Sequence, residues 1–240
     1  MVTMKRLTLA TTAGIALAAL TPAAAHATTI ELGATKTPVT TPVCPKGVAA
    51  RDCTIILTET TGLESLRDSV AYPTTVSKDG ILVAWTIGLA TLSSNRTTER
   101  KYIHQLDTRY LGVAKAEIVV LKPGKNRRYT VVAQSPVQEL QPYLGTVVQF
   151  PLTTPLKVVR GERIGLSVPT WAPVLDYKLS SKQFAYRQSR RANCSRPPNS
   201  EQAQQTVGAV TSYTCNYRGT RVEYSATEIT TPVPLKNYVR

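Results

Sequence analysis

Histidine is nearly missing from this 240-residue chain, which holds only His26 and His104. Triad hydrolysis needs an imidazole beside a nucleophile, and no Gly-x-Ser-x-Gly elbow accompanies His104, so that chemistry is not expected even with Asp107 three residues on. The cysteines never fall at C-x-x-C spacing, which leaves zinc without a ligand set. The acids are scattered rather than clustered as calcium requires, and no glycine-rich phosphate loop occurs. No metal, no cofactor and no catalytic residue are therefore expected. Negative charge is scarce as well: 15 Asp and Glu face 29 Lys and Arg, a formal net charge of +14. Nothing sustains a helical repeat of apolar residues, and no apolar run reaches the roughly 20 residues of a membrane span.

What is abundant is threonine, valine and tyrosine, with proline and glycine spread throughout, the composition of an all-β chain. The first 27 residues stand apart. Lys5 and Arg6 precede an apolar run from Leu7 to Leu20, and Ala25-His26-Ala27 offers small residues at the two positions a signal peptidase reads. Residues 1–27 are expected to be a signal peptide and the product to be secreted, extracellular or held at the cell wall. Removing Lys5 and Arg6 leaves 27 basic against 15 acidic residues, or +12. Such a balance suits neutral or anionic glycan or an anionic cell-wall polymer as partner, and equally suits mere solubility; nucleic acid is the weaker choice. Four cysteines fit an oxidising compartment and allow three pairings. Local closure, Cys44 with Cys53 and Cys194 with Cys215, is the expected one, each worth about 3 kcal/mol.

The remainder divides into a Thr/Pro-rich flexible lead-in at 28–43, one domain at 44–229 and a basic tail at 230–240. The domain is organised around Pro155 to Pro173: two short strands pivot on Gly161, and Ile164, Leu166 and Val168 alternate with Arg163, Gly165 and Ser167. That alternation predicts one dry and one wet face, with Pro169 and Pro173 ending the second strand. Thr54 to Thr60 reads as a strand, Leu63 to Val76 as irregular with a helical turn near Glu64 to Asp68. Ile81 to Leu89 reads as a central strand with Ile81, Val83, Trp85, Ile87 and Leu89 on one face. Thr91 to Gly112 is too polar for either period and is expected to be a long loop. Ala116–Lys122 and Arg128–Gln134 flank a Pro-Gly turn as a hairpin, with Tyr129, Val131 and Ala133 inward and a basic tip of Lys122, Lys125, Arg127 and Arg128. A last hairpin is expected around Arg218-Gly219, with Val222, Tyr224 and Ala226 inward. The fold class is thus an antiparallel β-sandwich, jelly-roll-like, with two disulfides.

Basic and aromatic residues interleave from Asp176 to Ser200, and Tyr177, Arg187, Arg190 and Arg191 are the candidate ligand-binding residues. The same stretch alternates as a strand would, which makes Phe184 and Tyr186 core residues. Among the acids Glu99, Glu117, Glu139, Asp176 and Glu223, a carboxylate pair would suit a glycosidase, but sequence gives no separation.

The runs Tyr129 to Pro136, Pro142 to Gly145, Val148 to Leu152 and Val168 to Pro173 resemble a group of uncharacterised exported proteins from high-GC Gram-positive bacteria. The likeness covers about Cys44 to Ala226 and assigns no catalytic motif. The V-x-x-G-x-x-I-x-L pattern from Val158 to Leu166 is similar to a strand-turn-strand of jelly-roll carbohydrate-binding modules. Residues and resemblance together favour a secreted, non-catalytic binding or structural module; a carboxylate-pair enzyme and a secreted inhibitor or toxin presenting the Cys194–Cys215 segment are the alternatives.

Overall fold

The computed structural model describes residues 27–48, 52–190, 194 and 203–231. The expected signal peptide up to residue 26, Arg191 and the tail beyond residue 231 lie outside them. In chain order the elements are β1 (Thr29–Leu32), β2 (Leu57–Arg67), β3 (Val70–Ala71), β4 (Gly80–Gly88), α1 (Arg96–Arg109), β5 (Lys115–Pro123), β6 (Arg128–Gln134), β7 (Gln138–Glu139), β8 (Val147–Val158), β9 (Arg163–Ala172), β10 (Leu175–Tyr177), β11 (Ala185–Gln188), β12 (Val210–Ser212), β13 (Cys215–Arg218), β14 (Thr220–Val222) and β15 (Tyr224–Thr230). One sheet runs β1-β15-β4-β8, the larger one β12-β6-β5-β9-β2-β11-β13, and β10 pairs β14 apart from both. All strand pairs are antiparallel, the chain passes repeatedly from one sheet to the other, and cystines join Cys44 to Cys53 and Cys194 to Cys215. The expected all-β sandwich with local disulfide closure is what the chain forms.

The main core lies between the sheets. Ile164, Leu166 and Val168 of β9 enter it from one side, and Trp85 and Ile87 of β4 from the other. Trp85 stacks beside its cross-strand partner Phe150 with ring centroids 4.9 Å apart. Between β8 and β9 the chain turns at Gly161, whose φ of 92° suits glycine. β8 is an edge strand, so Pro151 and Pro155 cost it no ladder bond on the open side.

Several sequence expectations fail for one reason, β-bulges. Opposite Thr227 and Glu228, β4 carries Val83 as an extra residue, so Leu82 is buried while Ile81 stays 38% exposed, and Trp85 and Ile87 regain the core face. In β6 the extra residue is Val132: Ala133 packs on the main core, whereas Tyr129 and Val131 face the opposite side of the larger sheet. Pro169 does not end β9, because β9 bulges opposite Glu59 and the last β5 partner is Ser167, so no ladder donor is lost there.

The larger sheet is dry on both faces. Its outer face holds a second core of Leu63, Val119, Leu121, Tyr129, Val131 and Tyr213, roofed by the chain around residues 204–213. Ser167, expected on a wet face, is fully buried there and donates to the Gln204 carbonyl. The irregular stretch expected from Leu63 is instead the second half of β2. The lead-in at 28–43 is not loose either: β1 pairs β15 from Thr29–Ile229 to Leu32–Ala226. The final hairpin does not form, since β13 pairs β11 while β14 pairs β10, although Val222, Tyr224 and Ala226 do join the core.

Candidate functional site

The polar stretch expected to be a loop contains α1. Asn95 caps it by accepting from the Thr98 amide at 3.0 Å, Glu99 sits in the first turn and Arg109 in the last, each complementing the helix dipole. No residue of α1 is fully buried; Ile103 and Leu106, with Tyr110 just beyond the helix, pack partly against the core. What fixes the helix is polar. Asp107 accepts from Trp171 Nε1 and from Gln141 Nε2, both at 2.9 Å, binding α1 to the end of β9. Asp107 is therefore an anchor rather than the partner of His104, which is exposed on the helix surface.

Between α1 and the Cys44–Cys53 cystine lies a cleft of about 260 Å³. Tyr102, Gln105, Arg109 and Tyr110 line it from the helix side, and Ile55, Ile56 and Leu92 supply aliphatic surface. The Arg109 guanidinium stands 5.5 Å over the Tyr110 ring. No carboxylate lines this cleft. Two rings, an amide and a cation over an apolar floor can stack on one face of a ligand ring and hydrogen-bond its edge. Sequence reasoning missed these residues because it missed the helix; Asn95 with Glu99 behind it, and Tyr102, Leu106 and Tyr110 at helical spacing, were the available signals.

The candidate ligand residues are differently placed. Tyr177 pairs with Thr220, and its hydroxyl donates to the Asp52 carbonyl at 3.3 Å. Arg187 donates through Nη1 to the carbonyls of Tyr213 and Thr214, both at 3.1 Å. Arg190 is buried and donates to the Tyr217 hydroxyl at 3.0 Å, Tyr217 itself being stacked on Tyr186 at 5.1 Å. Arg187 and Arg190 thus brace the chain around the Cys194–Cys215 cystine, and neither is presented with Tyr177 as one open basic strip. Phe184 and Tyr186 are buried, as the strand reading requires.

None of the acids Glu99, Glu117, Glu139, Asp176 and Glu223 lines the cleft beside α1. Asp176 lies opposite Arg221 in the β10–β14 pair, and Glu223 pairs with Arg221 inside a buried cluster that includes Glu64 and Arg67. Burial pushes the Glu64 carboxyl up to about 8 and Glu223 up to about 7, against the pull of the neighbouring guanidiniums. Residues 37–40 close over this cluster: Arg67 donates to the Thr37 carbonyl at 3.1 Å, Arg221 to the Pro38 carbonyl at 2.5 Å, and the Thr40 amide donates to Glu223 at 3.1 Å. Glu117 lies apart on the outer face of the larger sheet, bonded to Gln205. Glu99 accepts from the Leu92 amide, and Glu139 pairs in β7 with Lys115. A glycosidase needs acid and nucleophile roughly 5 to 9.5 Å apart with substrate between them, which a carboxylate tied to Arg221 inside a buried cluster does not offer.

Among the described residues, no helix is long and apolar enough to cross a membrane. Comparison with protein-family models, with curated proteins and with solved structures finds no match to this chain in any of the three.

Proposed function

We propose that this chain is an extracellular, non-catalytic binding module that holds one ring of a glycan, neutral or acidic, in the cleft between α1 and the Cys44–Cys53 loop. The observation that carries the reading is the lining itself: Tyr102 and Tyr110 beside Gln105 and Arg109, above Ile55, Ile56 and Leu92, with no carboxylate. Tyrosine rings stack on the C–H face of a pyranose, while the amide and guanidinium bond its hydroxyls or a carboxylate substituent. The volume is below the roughly 300 Å³ at which drug-sized sites begin, so the cleft takes one ring or a side group of a longer chain. Two cystines fit an oxidising exterior.

The inhibitor or toxin alternative asks for a projecting rigid loop. In the described part of the Cys194–Cys215 segment, Gln204 and Tyr213 are buried against the larger sheet, and only the short turn at 206–208 and Val210 are exposed. The test is a glycan array and a cell-wall retention assay with the wild type and a Tyr102→Ala/Tyr110→Ala variant. Saturable capture lost in the variant supports the reading. Capture that survives in the variant, or no capture by the wild type, overturns it.

A further inference from the structure

A second site is built on the outer face of the larger sheet, at the opposite end of β9. Arg163 opens β9 and Trp171, which anchors α1, is its penultimate residue, eight positions on; at ~3.3 Å per residue the two lie about 26 Å apart. At the Arg163 end two guanidiniums converge on one phenol. Arg163 lies 3.5 Å from the centre of the Tyr72 ring and donates to the Tyr129 hydroxyl, while Arg187 donates through Nε to the Tyr72 hydroxyl at 3.3 Å. Tyr72 is held there with φ at 47°, a left-handed conformation rare for a bulky side chain. Such outliers collect where surrounding structure holds a residue to a task.

Neither guanidinium has a carboxylate partner among the described residues. Two like charges sharing one half-buried phenol repel each other, and an anion between them relieves that repulsion. Donors remain for it. Arg187 uses Nε and Nη1 on protein acceptors, which leaves Nη2. Arg163 uses Nη1 alone, which leaves Nη2; its Nε is buried without a protein acceptor. Arg187, Arg163 and Tyr72 are each half-buried, so the group between them is reachable from solvent yet shielded enough for the charges to count. Burial opposes ionisation of the Tyr72 phenol, but the Arg187 hydrogen bond and both positive charges outweigh it, and its pKa falls below the usual tyrosine value. The protein's own phenol oxygen is here the nearest thing to an anion.

We propose that Arg163 and Arg187, with the hydroxyls of Tyr72 and Tyr129, form a binding site for a single oxyanion group, a sulfate, phosphate or carboxylate, carried free or as a substituent of an anionic polymer. The fork geometry of each guanidinium suits a group with two or three oxygens, and Tyr129 supplies a neutral hydroxyl beside them. This site is separate from the glycan cleft and stands or falls independently of it.

The experiment follows the arginine Nε–Hε signals by NMR in the full chain while sodium sulfate, sodium phosphate or sodium acetate replaces sodium chloride at constant ionic strength. The expected result is a saturable shift of the Arg163 and Arg187 signals with at least one oxyanion, weakened at least tenfold in Arg163→Gln and in Arg187→Gln and unchanged in Lys125→Gln on the exposed β5–β6 tip. Dextran sulfate as a second probe separates the sources: tighter binding per sulfate group than inorganic sulfate identifies a polymer ligand, and equal binding identifies the free ion. Absence of any saturable shift in the wild type, which needs no variant to fold, overturns the site, and so does saturable binding that Arg163→Gln and Arg187→Gln both leave at the wild-type strength.

Discussion

Trp171 Nε1 donates to Asp107 Oδ1 at 2.9 Å, joining a fully buried indole at the end of β9 to a helix with no fully buried residue of its own. Because α1 forms one wall of the cleft, this bond positions the proposed binding residues. Asp107→Ala removes the acceptor for both Trp171 and Gln141, although the indole keeps the Gly112 carbonyl at 3.1 Å. The expected cost is about 1 to 3 kcal/mol in denaturant unfolding, with a further loss of glycan capture in the folded protein. Asp107→Asn, which keeps one acceptor, should lose less than half as much.

Glu117 gives the protein a stability that falls as pH rises. Burial lifts its carboxyl from 4.5 to about 7, against a hydrogen bond from Gln205. Between those values the folded state holds a proton that the unfolded state has released, so unfolding free energy declines through that window and levels off above it. The decline from this group amounts to at most about 3 kcal/mol. Glu117→Gln should flatten the slope between pH 5 and pH 7 in urea unfolding followed by tryptophan fluorescence. A variant with the wild-type slope would contradict the assignment.

The Cys194–Cys215 cystine holds the roof over the second core. Removing it as Cys194→Ala/Cys215→Ala should cost about 3 kcal/mol, the entropy of opening a loop of that length. Hydrogen exchange should show where: the amides of Gly208 and Val131, which bond across the roof at 2.8 and 3.0 Å, lose protection before those of β4 do.

Two glycines separate backbone strain from steric collision. Gly161 has φ at 92° with nothing within 4 Å of an added Cβ, so Gly161→Ala should cost about 1 kcal/mol from conformation alone. At Gly88 an added Cβ would collide with the Thr40 carbonyl of the segment covering the buried ion cluster. Gly88→Ala should therefore be the more damaging by thermal unfolding and should also loosen residues 37–40, which limited proteolysis would reveal.

The sheets were legible because their strands carry their own evidence. The β-branched, nearly uncharged run at Ile81 to Gly88 is a central strand, and the glycine at 161 turns one strand into the next. Face assignments were less legible, since the extra residues at Val83 and Val132 are fixed by partner strands far away in sequence, and each reverses the pattern beyond it. The second core was hidden for a similar reason: Ser167 looks solvent-facing until the remote chain around Gln204 covers it. Helix α1 was missed because its contacts with the body are largely polar, so apolar periodicity was faint while its cap and end charges were in view. Arg187 and Arg190 looked available because their acceptors, the carbonyls of Tyr213 and Thr214 and the hydroxyl of Tyr217, lie in a different part of the chain.

The most direct test of the binding role is a ¹H–¹⁵N correlation spectrum titrated with the oligosaccharide that the array selects, with the sugar recovered afterwards for mass spectrometry. The expected result is saturable shifts confined to residues 102–110 and 53–56 with Cys44 and Leu92, with the sugar returned unaltered. Shifts elsewhere that leave α1 unmoved, or a cleaved or modified sugar, would contradict it.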